Sequence, residues 1–328
     1  MVTPVPGWQV LTPVASEADR DGTSDRFVTA RRRLRRVTFV TYHTPTSGSL
    51  PVRRFTGDAD RLRCAFFVGI PATGKTLMVQ NFTAIAAGRG RTVHLLQWDL
   101  VRGAFDGASA ATGYPEIDGV THPVIRKAVG LWAREAVARW DREHRSTEHL
   151  LVCEAPLIGN RMTELVRTRD DATEPLLCAP HSTFYIPAPS DSVRAVIENL
   201  RARDTGRPRH VYERANAAPA VVTHLWQEIH HLATHYGLTS HGPDGHTYRQ
   251  DRYIAVYERV LAHRHTTVLP INDILPVTGS AYDVHPATRQ LRPRPDDVER
   301  ALARAANMPA DALRRETERW YEDNGGTG

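Results

Sequence analysis

Lysine is almost missing from this chain: Lys75 and Lys127 stand against forty arginines in 328 residues. A sequence so rich in arginine can place a guanidinium wherever a plain positive charge suffices. Lys75 therefore marks a position that rejects the wide planar fork and keeps a compact ammonium on a slim stem. Cysteine is scarce too. Cys64, Cys153 and Cys178 are odd in number, widely spaced and set among apolar residues. That pattern argues against a disulfide framework and for reduced side chains in a cytoplasmic protein. No apolar run approaches the length that crosses a bilayer, so no membrane partner is expected. The opening MVTPVPGWQVLTPV has neither a basic start nor an apolar block, and does not read as a secretory signal.

What is present is ordinary in bulk and specific in detail. A hydrophobic content of 41% with 24% charged residues suits a globular chain, long enough for one large domain or two smaller ones. The net charge of +5 suits an anionic partner, for which a nucleotide suffices.

Residues 69–76 read GIPATGKT and follow the apolar run RCAFFV. Gly69, Gly74, Lys75 and Thr76 fit G-x-x-x-x-G-K-[ST], the phosphate-binding loop pattern, with Ile70, Pro71, Ala72 and Thr73 between. CAFFVGI has the composition of a buried strand. Beyond the loop, Leu77, Val79, Phe82, Ile85 and Ala86 recur at helical spacing, and Gly88 supplies a stop. A strand, a glycine turn and a helix start point backbone N–H groups and the positive helix end at one anion. Lys75 is then expected on the β- and γ-phosphates, and the Thr76 hydroxyl on Mg²⁺. No N-K-x-D guanine-recognition motif is present, so ATP is expected over GTP.

Around this loop the pattern alternates. Strands are expected at 64–70, 92–98, 149–155, 182–188 and 266–271, with helices at 121–144, 191–203, 216–236 and 250–263 and two short amphipathic helices near the C-terminus. The fold class predicted is α/β: a three-layer P-loop NTPase sandwich around a mostly parallel five-stranded sheet. Residues 62–280 would form that domain. A basic N-terminal extension, 1–61, would precede it, and a helical tail, 281–328, would follow. The extension carries RRRLRR at 31–36, read as a solvated face before a nucleic-acid patch, with Val37, Phe39 and Tyr42 as candidate buried positions.

Ligands of an open parallel sheet bind beyond the carboxyl ends of its strands. The second strand ends in QWDLVRGAF, which puts Asp99 at that rim, with Arg102 three residues on and on the same face if a helix begins there. Asp99 is the candidate general base for an attacking hydroxyl, and Arg102 the candidate for stabilising charge on a transferring phosphoryl group. Asp99 capping the following helix is the plainer alternative. The third strand ends in CEAPLIGNR, with Glu154 at the rim as a magnesium or substrate ligand, and Asn160 and Arg161 following as candidate substrate contacts. Residues 198–215 are arginine-rich and broken by DTGRP, as a closing lid needs; Arg201, Arg203, Arg207 and Arg209 are its candidate phosphate contacts. His231 and His235 lie four residues apart, but the glutamate of H-E-x-x-H is missing, so no zinc site is expected there.

GIPATGKT, WDLVR, LLVCEAPLIGNR and the arginine-rich stretch together resemble the zeta-toxin-like branch of P-loop kinases, close to phage-type polynucleotide kinases and chloramphenicol phosphotransferases. The resemblance spans roughly residues 62–275. It implies a phosphate-holding role for Lys75 and a catalytic-base role for Asp99. It matches Arg102 to the D-x-x-R arginine of the polynucleotide kinases, and Glu154 to a substrate-contacting glutamate. Ala72 departs from the glycine that many relatives carry. The expected activity is transfer of the ATP γ-phosphate to a hydroxyl of a small molecule such as a sugar nucleotide or natural product. A polynucleotide 5′-hydroxyl is the alternative acceptor, and a nucleotide-dependent switch without transfer the alternative class. The resemblance identifies the phosphotransfer better than the acceptor.

Overall fold

The computed structural model describes residues 50–116, 120–204, 219–238, 247–274 and 288–322; for residues 50, 52, 200–204, 219 and 220 only the backbone path is described. The RRRLRR run, Val37, Phe39, Tyr42, Arg207 and Arg209 lie outside the described residues, as do the side chains of Arg201 and Arg203.

Six strands form one sheet: β1 (Cys64–Val68), β2 (Thr92–Gln97), β3 (His149–Ala155), β4 (Ser182–Pro189), β5 (Thr266–Ile271) and β6 (Thr288–Gln290). Their spatial order is β5-β4-β1-β3-β2-β6, and every pairing is parallel. Strands covered on both faces need apolar side chains on both, and CAFFV, HLLVCEA and STFYIPAP supply them almost without interruption. Pro270 falls in β5, an edge strand, where a missing N–H is tolerated.

The helices are α1 (Leu50–Arg61), α2 (Lys75–Gly88), α3 (Trp98–Asp106), α4 (Pro123–Glu143), the one-turn α5 (Glu174–Leu177), α6 (Asp191–Asp204), α7 (Pro219–His235), α8 (Gln250–Val260), α9 (Pro295–Ala306) and α10 (Ala310–Glu318). They cover both faces of the sheet. On one face Ala65, Phe67, Val93 and Tyr185 pack with Phe55 of α1 and Met78 and Phe82 of α2. On the other, Phe66, Val68, Leu96 and Phe184 pack with α3, α4, α7, α8 and α9. The period-2 alternation of strand side chains thus feeds two separate cores. None of the described helices is long and apolar enough to cross a membrane.

Two differences from expectation are instructive. Among the described residues the sheet has six strands, not five. The sixth is three polar residues, TRQ, on the edge beside β2, where partial exposure demands no hydrophobic pattern. Residues Leu50–Arg61, placed by sequence in the N-terminal extension, form α1 and close an aromatic cluster. Phe55 lies 5.2–5.8 Å, centroid to centroid, from Phe82, Tyr185 and Phe67. Edge-to-face pairs of this kind add about 0.5–1.5 kcal/mol each beyond their area.

Behind α4 lies a dense buried charge network. Lys127, 1% exposed, is held between Glu164 and Glu316, the latter at 2.5 Å. Glu316 also pairs with Arg167 and Arg169. Burial alone would raise the Glu316 carboxyl, but Lys127 and the two guanidiniums outweigh it and hold the group down at about 2. Glu174, between Arg264 and Arg134, is likewise brought to about 2 against the opposing effect of burial. Gly130 makes room for this packing, since a Cβ there would stand 2.1 Å from Glu164 Oε2.

Candidate functional site

The loop between β1 and α2 is shaped by positive backbone angles. Gly69 has φ 144°, Ala72 64° and Gly74 81°. A Cβ on Gly69 would come 2.4 Å from Tyr253 Oη and 2.8 Å from Thr73 Oγ1, so α8 presses on the loop from behind and no side chain fits. Ala72 holds a left-handed conformation that costs a non-glycine residue about 1–2 kcal/mol. The loop folds around one carbonyl: Thr73 Oγ1 and Lys75 Nζ both donate to Ile70 O, each at 2.9 Å. Lys75 opens α2, directly after Gly74, and is 7% exposed. Its stem therefore lies in a slot.

Three further groups stand at the same rim. Glu154, near the end of β3, accepts from Thr76 Oγ1 at 2.9 Å and from Gln97 Nε2 at 3.0 Å. Its carboxyl is pushed above the ordinary range, first by burial and then by the charge of Asp99, while Lys75, Gln97 and Thr76 oppose the rise. Asp99 lies in the first turn of α3. Arg161, from the loop after β3, lies over the Trp98 ring at 5.6 Å. Burial lowers the hold of Arg161 on its proton, and the Asp99 carboxylate is the chief opposing influence. Among the described residues, no hydrogen bond or ion pair engages the Arg161 guanidinium.

The two rim arginines differ in what they touch. Arg102 donates to Asp106 at 2.8 Å and to Glu116, so two carboxylates hold its guanidinium. Arg161 is the arginine that shares the charge environment of Asp99. Asn160 lies in the same loop: it adopts φ 60°, and its Oδ1 accepts from Trp320 Nε1 at 2.8 Å, tying the β3 loop to the segment after α10.

A cleft of about 750 Å³ opens beside Arg161. Its walls come from the start of α4, the loop Ile158–Arg161, one face of α7, and Trp320 with Tyr321. Arg126 lines it at 6% exposure, 3.5 Å from Glu318, and its Nε has no hydrogen-bond partner among the described residues. Glu228 on α7 accepts from the Gly159 amide at 2.7 Å, fixing the loop that carries Arg161. His231 bonds the Tyr321 hydroxyl at 2.9 Å, and the His235 ring packs edge-on against the same tyrosine. Gln97, Arg126, Glu228 and Trp320 did not stand out in the sequence. Gln97 was within reach, since it ends a strand two residues before Asp99. The other three are brought in by long-range packing.

The fold and this rim define a parallel α/β protein with a glycine-turn helix start, two carboxylates and an arginine at the carboxyl ends of its strands. Comparison with protein-family models, with curated proteins and with solved structures returns no match for the chain. Its own residues carry the functional argument.

Proposed function

We propose that this chain is an ATP-dependent kinase of the P-loop class, zeta-toxin-like in its motifs, which moves the γ-phosphate to a hydroxyl of a small molecule. One observation carries the reading. Lys75 and Thr76 open α2 behind a positive-φ glycine turn, with Glu154 bonded to Thr76 and Asp99 close enough to influence Glu154. The strand order β5-β4-β1-β3-β2, with the loop following the central β1, supports it, because such rims are where parallel sheets bind ligands.

Lys75 and the loop amides hold the β- and γ-phosphates. The Thr76 hydroxyl and the Glu154 carboxylate are hard oxygen donors already in contact, which fits Mg²⁺. When bound, that ion neutralises charge across the two phosphates. Asp99 accepts the acceptor's proton as the hydroxyl oxygen bonds to the γ-phosphorus and the β–γ bridging bond breaks, releasing ADP. Arg161 takes the charge-stabilising role that the sequence offered to Arg102. The acceptor occupies the adjoining cleft, whose volume lies in the range of small-ligand sites. The wall of Trp320 and Tyr321 favours a compact acceptor over a polynucleotide. The free cysteines fit a reducing, cytoplasmic setting.

Asp99→Asn tests the transfer. Turnover is expected to fall by about 10²–10⁴ while ATP affinity stays within a few-fold. Nucleotide affinity measured by calorimetry beside kcat decides it. Collapse of binding with kcat preserved would make Asp99 a helix cap and move the base elsewhere. Turnover without any phosphorylated product would favour a nucleotide switch.

A further inference from the structure

At the opposite pole of the sheet, three histidines converge. His149 begins β3, His94 lies on the neighbouring β2, and His144 caps the C-terminus of α4 five residues before β3 starts. In the parallel register Thr92 faces His149, so His94, two residues along, projects from the same face of the sheet. The turn between α4 and β3 is short, with the His149 amide bonded to Ser146 O, and this turn brings His144 back over the pair. Ring centroids lie 4.3 Å apart for His94 and His144, and 4.5 Å for His144 and His149. Trp140 backs the cluster at 5.8 Å from His94.

We propose that His94, His144 and His149 form a binding site for a borderline divalent transition ion of the zinc class. Among the described residues they are the one group of three ligating side chains whose donor atoms all fall within 4.8 Å of one another. His94 Nε2 and His149 Nδ1 stand 3.1 Å apart. Two imidazoles on a tetrahedral zinc, with Zn–N near 2.0–2.1 Å, present nitrogens about 3.3 Å apart. The separation fits ligands sharing one ion.

The donor chemistry narrows the ion. Three imidazoles without a carboxylate disfavour Mg²⁺ and Ca²⁺ and suit zinc-like cations. Arg289, opposite His94 on β6, and Arg63 add positive charge, while Glu148 offsets some of it at His149. That balance favours an anion such as hydroxide or chloride in the open fourth position, a stance three-ligand zinc sites permit. The cluster lies five residues along β3 from Glu154, about 16 Å at 3.3 Å per residue. It is separate from the phosphate loop and does not rest on the kinase reading.

The test uses the full chain, stripped with chelator and titrated with Co²⁺ and Zn²⁺. One Co²⁺ per chain is expected, with the intense visible band of a four-coordinate ion, displaced by one equivalent of Zn²⁺. His94→Ala, His144→Ala and His149→Ala should each lower Zn²⁺ affinity by at least about ten-fold. His230→Ala, on α7, and Lys75→Ala should leave it unchanged. His144→Gln and His149→Gln, at partly exposed positions, keep the test open if His94→Ala fails to fold. Absence of the band and of any Zn²⁺-dependent rise in Tm would overturn the proposal. So would unchanged affinity in both glutamine variants, which would assign the rings to packing on Trp140.

Discussion

The two lysines of this chain are both buried, and their surroundings are opposite. Lys127 sits inside a network in which Glu164, Glu316, Arg167 and Arg169 answer one another's charge, and the structure there holds a carboxyl down at about 2. Lys75 sits on a backbone carbonyl in a loop held in positive-φ conformations, beside a carboxyl pushed up rather than down. Near it, Arg161 is a cation engaged by no hydrogen bond or ion pair among the described residues. One region has its charges matched from within. In the other, Arg161 lines a cleft together with Arg126. The same residue type thus stands in two unlike settings, and only its neighbours tell them apart.

Substituting the lysines separates the two. Lys127→Ala leaves Glu164 and Glu316 buried without their shared partner, and should cost about 3–5 kcal/mol of stability. Urea unfolding measures it; a loss under 1 kcal/mol would mean that the network tolerates its own charge. Lys75→Ala should leave the unfolding midpoint nearly in place while turnover falls by about 10²–10³, the scale of removing one electrostatic donor from a reacting phosphate. Lys75→Arg should fail almost as badly, because the slot beneath Gly69 is sized for an alkyl stem. Near-native turnover with arginine would remove the case for a slim cation.

The smallest effect is the most diagnostic. The folded pKa of Glu154 is raised, so the native chain loses stability relative to Glu154→Gln as pH climbs above the ordinary carboxylate range. The folded pKa of Glu316 is depressed to about 2, so its contribution is present above the ordinary carboxylate range and fades as pH falls through it. Tm measured against pH should therefore slope in opposite directions for Glu154→Gln and Glu316→Gln, each relative to the native chain. Parallel slopes would erase the contrast.

How much of this was legible in the sequence follows from what is local. Five strands were visible because burial on both faces writes them as apolar runs, and GIPATGKT was visible because a tight turn needs its glycines in order. Asp99 and Glu154 followed from the rule that strand ends meet at one rim. β6 was not legible: three polar residues on an edge carry no pattern. α1 was hidden by Pro51, Thr56 and Gly57, whose weak propensity is overridden by the docking of Phe55. The different surroundings of Arg102 and Arg161 were out of reach, because they depend on long-range placement: Asp106 and Glu116 hold one guanidinium, and the other lies over the Trp98 ring. The three clustered histidines span residues 94–149, and no spacing rule joins them.

The bond from Trp320 to Asn160 has a consequence for the order in which the molecule comes into being. During synthesis, the loop at residues 69–76 and β1, β2 and β3 leave the ribosome well before residue 320 is made, and domains begin to assemble as they emerge. The rim can therefore take shape on a nascent chain. The cleft cannot, because one of its walls is Trp320 and Tyr321. A ribosome-bound chain lacking those residues would hold the rim without that wall of the cleft.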